Sequence, residues 1–171
     1  MARRAYLGLD ASVEKSITLG FAGFNDATSA NIPTEQDTGD AAGTLAITGQ
    51  VDQGASSNKG MRLAVDMVGY SDGPFEIDSD HHTWTITYDT DAASFPALDM
   101  MLKNIPTGTI TGTLIGTYHL SGDLTGDVDL DLTIAGTLQD AGGGTVTRAA
   151  GTTITGTATQ GDGVYNVSVT L

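Results

Sequence analysis

Cysteine is absent from this chain of 171 residues. Its absence excludes disulfides, thiol catalysis and zinc sites built on thiolates. Basic residues are also scarce, since 7 Lys and Arg stand against 21 Asp and Glu and leave a net charge of -14. We expect no nucleic-acid partner and no binding to an anionic membrane, because phosphate recognition needs clustered Lys and Arg, and Arg3-Arg4 is too short to act as a basic arm.

Long apolar runs are missing as well, and none approaches the ~20 residues of a transmembrane helix. Asp10, Glu14 and Lys15 interrupt the N-terminal stretch, which therefore lacks the apolar segment of a signal peptide. An acidic, lysine-poor surface is nonetheless common on secreted and assembled structural proteins. The sequence thus favours an extracellular, cell-surface or virion location, with no transmembrane segment and no signal peptide in the printed chain.

Strand-forming residues dominate what is present. Only 16 % of the residues are charged, so Thr, Ser, Asn and Gly must supply most of the polar surface, and this composition favours strands. The length fits a single domain over 1–171. Apolar or small residues occupy odd positions in 5–24, which predicts one or two long strands. Residues 25–43 lose this periodicity and collect turn formers, which predicts an exposed loop.

One segment has the spacing of a helix instead. Its apolar side chains recur at i, i+3, i+4 and i+7: Leu98, Met101, Leu102 and Ile105. Pro96 falls in the first turn and Pro106 ends the run, as helix boundaries require. We predict a short amphipathic helix over about 95–104, with its apolar face covering an open end of the sheet.

From Thr109 onwards the apolar positions become even, and turn signals divide 108–171 into an antiparallel meander. The C-terminal strand is either an exposed edge or the partner of the N-terminal strand. Together the patterns predict an all-β fold. We expect an antiparallel β-sandwich or barrel of about 8–10 strands, with one short helix at 95–104.

The parity of the meander constrains one turn. If both flanking strands bury their even residues, the loop between them contains an odd number of residues. We predict the three-residue loop Asp123–Thr125. This loop would place Tyr118 opposite Leu130 inside and His119 opposite Asp129 outside. An ion pair between His119 and Asp129 would raise the pKa of the histidine.

An acidic ladder is the first candidate metal site. Asp127, Asp129 and Asp131 match the opening of a calcium loop, but the Gly and the bidentate Glu of such a loop are missing. A strand also spaces carboxylates on one face ~7 Å apart. The main interpretation is a solvated strand face, and the alternative is a metal site completed by His119, by a loop carboxylate such as Asp123 or by a neighbouring subunit.

A second candidate metal site lies in the stretch DSDHHTW. Asp78, Asp80 and His82 offer carboxylate and imidazole ligands suited to a divalent ion. A surface loop is the simpler interpretation, because neighbouring residues of a strand point to opposite faces. No cofactor is expected from the sequence, and Ca²⁺ is the one ion considered.

A pocket for a small apolar ligand is a further prediction. Small barrels often hold one ligand and close one end with a short helix. The candidate lining residues are those on or facing the predicted helix: Trp84, Tyr88, Leu98, Met101, Leu102 and Tyr118.

Catalysis has little support. The chain has 3 histidines, no G-x-S-x-G motif and only scattered glutamates, so no catalytic residue is proposed. We expect a non-enzymatic structural or assembly protein of a surface, fibre, virion or phage tail, which self-associates or binds another protein. Its composition resembles that of bacterial surface β-proteins and phage tail subunits. The alternatives are an apolar-ligand module and a calcium-dependent adhesion or carbohydrate-binding domain.

Overall fold

The structure, a computed structural model, describes residues 1–77 and 81–171. Strands account for 56 % of the chain and helices for 14 %, so the predicted all-β antiparallel class is confirmed. Two helices open the chain, α1 (Ala2–Leu7) and α2 (Asp10–Asp26). The strands follow in chain order: β1 (Glu35–Thr38), β2 (Ala42–Val51), β3 (Lys59–Ser71), β4 (Phe75–Glu76), β5 (Thr83–Trp84), β6 (Ile86–Asp89), β7 (Ala97–Lys103), β8 (Thr109–Gly122), β9 (Gly126–Gly142), β10 (Thr145–Arg148), β11 (Thr153–Gln160) and β12 (Gly163–Thr170).

One large antiparallel sheet carries the fold. Its main path runs β1-β2-β3-β6-β8-β9-β11-β12. β7 and β6 both bridge β3 and β8, β7 near the start of β8 and β6 near its end. β10 pairs with the C-terminal part of β9, and β4 and β5 form a separate two-stranded ribbon. Most connections are short hairpins between neighbouring strands.

The sheet curls around α2. This helix packs against β1, β2 and β3 and also against β10. In a flat sheet, β2 and β10 would lie five strand spacings apart, roughly 24 Å at ~4.8 Å per step. A helix with its side chains is only about 10 Å across. The sheet must therefore bend into a barrel-like wall, with α2 inside it and α1 against β9, β11 and β12.

The N-terminal strands predicted at 5–24 are wrong, because this segment forms α1 and α2. The buried side chains of Leu9, Val13 and Ile17 are four residues apart and share one helix face. Because four is an even number, all three residues have odd numbers, so they also fit the alternating pattern expected of a strand. Among the described residues, neither helix is long and apolar enough to cross a membrane.

Small residues complete the buried face of α2. Ser12 and Ser16 are buried, and each hydroxyl donates to a backbone carbonyl three or four residues earlier, at 2.6 and 2.7 Å. Gly20 faces the sheet so closely that a Cβ atom there would lie 2.9 Å from the side chains of both Leu63 and Met100. The helix therefore fills the concave side of the sheet without large side chains of its own at these positions.

The helix predicted at 95–104 is also wrong. The segment forms β7, a central strand between β3 and β8. Leu98, Met100 and Leu102 are buried, whereas Met101 is 40 % exposed on the opposite face. The spacing of Leu98 and Leu102 fits both a helix and a strand, since residues four apart lie on the same face of either element. The burial of Met100 rather than Met101 decides for the strand.

The loop predicted at 25–43 is largely exposed, as expected, but it contains structure. β1 lies within it and pairs with β2, and Asn31 forms an isolated bridge with Gln50. The side chain of Ile32 is buried in the core beside α2. The segment thus closes one margin of the sheet against the helix.

Lys15 fixes α2 to this margin. Its ammonium group lies 3.0 Å from Asp40 and 2.8 Å from Asp72, and the Tyr70 hydroxyl donates to the same Asp72 carboxylate. Burial lowers the pKa of Lys15, but the hydrogen bonds to Asp72 and Asp40 outweigh it, so the net pKa is raised. Lys15 is the charged exception among the odd-numbered residues of 5–24, and its ion pairs hold the helix to two loops of the sheet.

Asn25 covers the free side of β10. Its Nδ2 donates to the carbonyl of Val146 at 2.8 Å, and its Oδ1 accepts from the N–H of Val146 at 3.0 Å. Arg148 at the end of the same strand pairs with Glu14 of α2. The helix therefore supplies the hydrogen bonds that a further strand would otherwise make to this edge.

Replacement of Asn25 by alanine should lower the free energy of unfolding by about 1–3 kcal/mol, because the partly buried N–H and C=O of Val146 would lose their partner. Urea unfolding monitored by circular dichroism measures the change. Asn31→Ala is the control, since that side chain makes only an exposed hydrogen bond to Gln50. Equal losses in the two variants would show that the Asn25 contact contributes nothing specific.

Candidate functional site at the outer face and the free edge of the sheet

The acidic ladder lies on the outer face of the sheet. Asp127, Asp129 and Asp131 are exposed on β9, while the residues between them, Val128 and Leu130, are buried in the core. This alternation is that of a strand with one solvated face. The three carboxylates therefore point to solvent on the convex side, away from the filled interior.

Residues 123–125 lie outside both strands and both strands bury even residues, as expected, but Gly122 and Gly126 do not pair. The last pair between β8 and β9 is Leu120 and Gly126, so the hairpin loop has five residues, 121–125, rather than the predicted three. The predicted register is wrong by two residues, because Tyr118 faces Val128 and His119 faces Asp127.

β8 continues past this hairpin along β6, which lies on the other side of β8 from β9. Ile86 and Thr87 face Gly122 and Ser121, which lie beyond the last β8–β9 pair. Asp123 extends the contact with β6 through two bonds, as its N–H donates to the Thr85 carbonyl and its Oδ2 accepts from the Thr85 N–H. The end of β8 is therefore held by β6 while the chain turns into β9.

The partner of His119 is Asp127 rather than Asp129. His119 Nδ1 lies 2.6 Å from Asp127 Oδ1, and both side chains are about half exposed. The hydrogen bond to Asp127 raises the pKa of His119 above its ordinary value of 6.5, with smaller contributions from the charges of Asp91 and Asp89. Asp129 accepts a hydrogen bond from the Thr117 hydroxyl instead. The expected direction of the pKa shift is therefore found, with a different carboxylate as its cause.

A metal site is not formed by these side chains as they stand. In residues 1–77 and 81–171, no three His, Asp or Glu side chains are grouped closely enough to hold an ion. Asp78 and Asp80 of the second predicted cluster lie outside the described residues. The His82 ring packs edge-on against Trp84, with ring centroids 5.0 Å apart.

The side chains predicted to line an apolar pocket are not brought together around one. Tyr88, Leu98, Leu102 and Tyr118 are buried in the common core, and the Tyr88 hydroxyl donates to the carbonyl of Ala5. Met101 lies on the outer face, in a shallow groove of about 470 Å³. Trp84 lies in the β4–β5 ribbon, where the guanidinium of Arg4 stacks 4.3 Å from its ring centre.

A cleft of about 690 Å³ opens at one end of the sheet, between the β8–β9 and β11–β12 turns. Asp127, Asp129 and Asp162 border it, and so does Gln160. Gln160 Nε2 donates to the carbonyl of Thr125 at 3.2 Å, whereas its Oε1 is buried and has no hydrogen-bond partner among the described residues. The amide thus joins the two turns, and the carboxylates make this end of the molecule negative.

Comparison with known proteins gives neither a family nor a function for this chain. No family model, no curated protein and no solved structure matches this chain. Its function must therefore be argued from its own residues.

The free edge of the sheet is the remaining candidate. Three strands of the main sheet pair on one side only within the described chain: β1, β10 and β12. β10 is covered by Asn25, and β1 is four residues long and carries Glu35 and Asp37. Short length and charge are the usual protections of an edge strand. β12 has neither, since Gly163–Thr170 contains no charged residue and no proline.

The backbone of β12 has a defined outward side. The N–H of Leu171 donates to Thr152 and its carbonyl accepts from Gly151, so both groups face β11. At the other end, Gly163 is the closing partner of Gln160. Because the direction alternates along an antiparallel strand, the N–H and C=O groups that face away from β11 belong to the even residues: Val164, Asn166, Ser168 and Thr170.

Apolar side chains accompany this edge. Val164 is 63 % exposed on the outer face. On the inner face only Val167 is buried, while Tyr165, Val169 and Leu171 are partly buried against the core. β12 is therefore an uncharged strand, apolar on its inner face, that has no neighbouring strand on its outward side within the described chain. The sequence does not single out this strand, since longer uncharged runs occur at 104–118 and 149–161, and only the fold shows that it is an edge.

The His119–Asp127 pair gives a titration that can be measured. Asp127→Asn should move the pKa of His119 down towards 6.5, because the hydrogen bond to a charged carboxylate is its main cause. Proton NMR of the imidazole ring follows this value, and Asp131→Asn is the control on the same strand face. Since the folded pKa is raised, the pair stabilises the protein fully below about pH 6.5 and loses its effect as pH rises through the folded value. An unchanged pKa in Asp127→Asn would contradict this assignment.

Proposed function

We propose that this protein is a non-enzymatic structural subunit of a surface, fibre or virion assembly, and that it self-associates through the open edge of β12. The observation that carries the proposal is an eight-residue edge strand without charge or proline. Exposed edges of this kind are templates for a further strand, and soluble proteins usually protect them. An edge kept open in this way is what an assembly subunit requires.

The filled interior supports the same proposal. α2 occupies the concave side of the sheet, with Leu9, Val13 and Ile17 buried and Gly20 in close contact with β3 and β7. The apolar-ligand alternative has lost the helix on which it depended, because 95–104 is a strand. The calcium alternative has no structural support, because no three acidic or histidine side chains in the described chain are grouped closely enough to hold an ion.

Net charge sets the conditions for association. Each copy carries a formal charge of -14, which opposes contact between copies over long range. β12 itself is uncharged, and Asp162 in the β11–β12 turn is the acidic residue next to it in sequence. The contact is thus uncharged and backbone-mediated, while the repulsion comes from the rest of the surface.

Asn166→Pro should weaken self-association at least about tenfold in dissociation constant. It removes an outward N–H without touching the bonds to β11, and one lost hydrogen bond per copy is worth about 1 kcal/mol. Light scattering across a concentration series measures the change. Asn166→Ala is the matched control, since it keeps the N–H and should associate like the unmodified chain.

A second pair of variants covers the case in which proline disturbs the strand. Ser168→Lys places a charge on the edge strand. Thr155→Lys places the same charge on the neighbouring strand β11, at the residue that pairs with Ser168. Only Ser168→Lys should reduce association, because lysine on an edge strand opposes pairing. A chain that is monomeric at every concentration, or equal effects of the two lysines, would overturn the proposal.

Salt should strengthen association. Raising ionic strength from about 0.01 to 0.15 M shortens the Debye length from about 30 to 8 Å and screens the repulsion between acidic surfaces. Sedimentation velocity at a fixed protein concentration should show a larger associated fraction at the higher salt. A contact built on ion pairs would behave in the opposite way, and a decrease with salt would rule out the apolar edge as its basis.

A further inference from the structure

We infer that β12 pairs antiparallel with β12 of a second copy of this chain, around a two-fold axis at Val167. This inference rests on the proposed function, and it adds the partner and the register. An edge strand is self-complementary in the antiparallel direction, because the same surface of each copy meets the other. Two sheets would then continue into one across the axis.

The outward backbone groups select the register. With Val167 opposite the partner's Val167, Gly163 faces the partner's Leu171, and every position from 163 to 171 has a neighbour. Val164 then faces the partner's Thr170, and Asn166 faces the partner's Ser168. All these residues point their N–H and C=O groups away from β11, so each pair exchanges two hydrogen bonds. A shift by two residues in either direction would leave outward groups at one end without a partner.

The side chains agree with this register. On the inner face, the partly buried Tyr165 comes opposite the partner's Val169, and the two Val167 side chains meet at the axis. On the outer face, the exposed Val164 comes opposite the methyl-bearing Thr170. Apolar cross-strand pairs of this kind stabilise a sheet. No charged residue of either strand faces another.

A head-to-tail contact between β12 and β1 fits less well. β1 has four residues, Glu35–Thr38, so it would leave half of the β12 edge without partners. It would also bring the carboxylates of Glu35 and Asp37 to an apolar strand. Such a contact does not close on itself and leads to filaments. The two-fold pairing instead gives a closed dimer, which larger assemblies could use as their unit.

Disulfide trapping tests the register directly, because the chain has no cysteine of its own. Val167→Cys should form a disulfide-linked dimer on mild oxidation. Its partner is the same residue in a non-hydrogen-bonded pair, with Cα atoms about 4.5 Å apart, inside the range a disulfide spans. Thr157→Cys, at a half-buried position on β11, is the control and should remain monomeric on a non-reducing gel.

A mixing experiment checks the offset. Val164→Cys and Thr170→Cys should each fail to cross-link alone, since six residues along a strand separate each from its own copy by roughly 20 Å. An equimolar mixture should give the heterodimer, whose Cα atoms lie about 5.5 Å apart. Light scattering of the unmodified chain under the same conditions shows whether it associates at all.

The outcomes are distinct. A dimer in light scattering with both predicted cross-links supports the two-fold register. A dimer without them, or open-ended filaments, overturns the register and leaves the assembly function in place. A monomer at all concentrations overturns both. Cross-linking of Thr157→Cys as strong as that of Val167→Cys would mean random collision, and it would also overturn the register.

Discussion

The packing of α2 into the curve of the sheet is the contact on which the rest of the molecule depends. The helix lies against strands that are far apart in the sheet order, so it fixes the curvature as well as the core. Small residues such as Ser16 and Gly20 let the sheet approach closely, and Lys15 and Asn25 attach the helix to the two margins. With the interior filled in this way, the remaining surfaces for function are the outer face and the edges.

The edges differ in how they are protected, and that difference leads to the proposed function. Asn25 supplies backbone-like hydrogen bonds to β10. β1 is only four residues long, and it carries the charges of Glu35 and Asp37. β12 has no comparable protection, such as an exposed lysine, which would oppose pairing with a further strand. An open, uncharged edge on a chain with a net charge of -14 is consistent with association that is specific and sensitive to salt.

The sequence predicts the strand-rich antiparallel class correctly, and it fails where two periods coincide. Leu9, Val13 and Ile17 are spaced by four, which is one turn of a helix and also an even step along a strand. The same ambiguity affects Leu98 and Leu102, so a helix was predicted where β7 lies and strands where α2 lies. Only the partner surfaces decide such cases, because burial depends on which elements are adjacent in space.

Local rules also explain what was right and wrong at the outer face. The parity of apolar residues around the β8–β9 turn gives the odd length of the loop and the exposed position of His119. It cannot give the register, since loops of three and five residues have the same parity, and the contact of β6 with Asp123 at the end of β8 spans 38 residues of sequence. The position of β12 at the edge is likewise a property of the whole sheet and is not encoded in its eight residues.

Amide hydrogen exchange along β12 tests the central claim most directly. In dilute protein, the odd-numbered amides that face β11 should be protected and the even-numbered ones should exchange fast: Val164, Asn166, Ser168 and Thr170. At concentrations where copies associate, these four amides should become slow while the odd-numbered ones change little. Protection of the even-numbered amides at all dilutions would mean that the chain covers its own edge. Fast exchange at every concentration would mean that no second copy pairs with it, and either result would contradict the account.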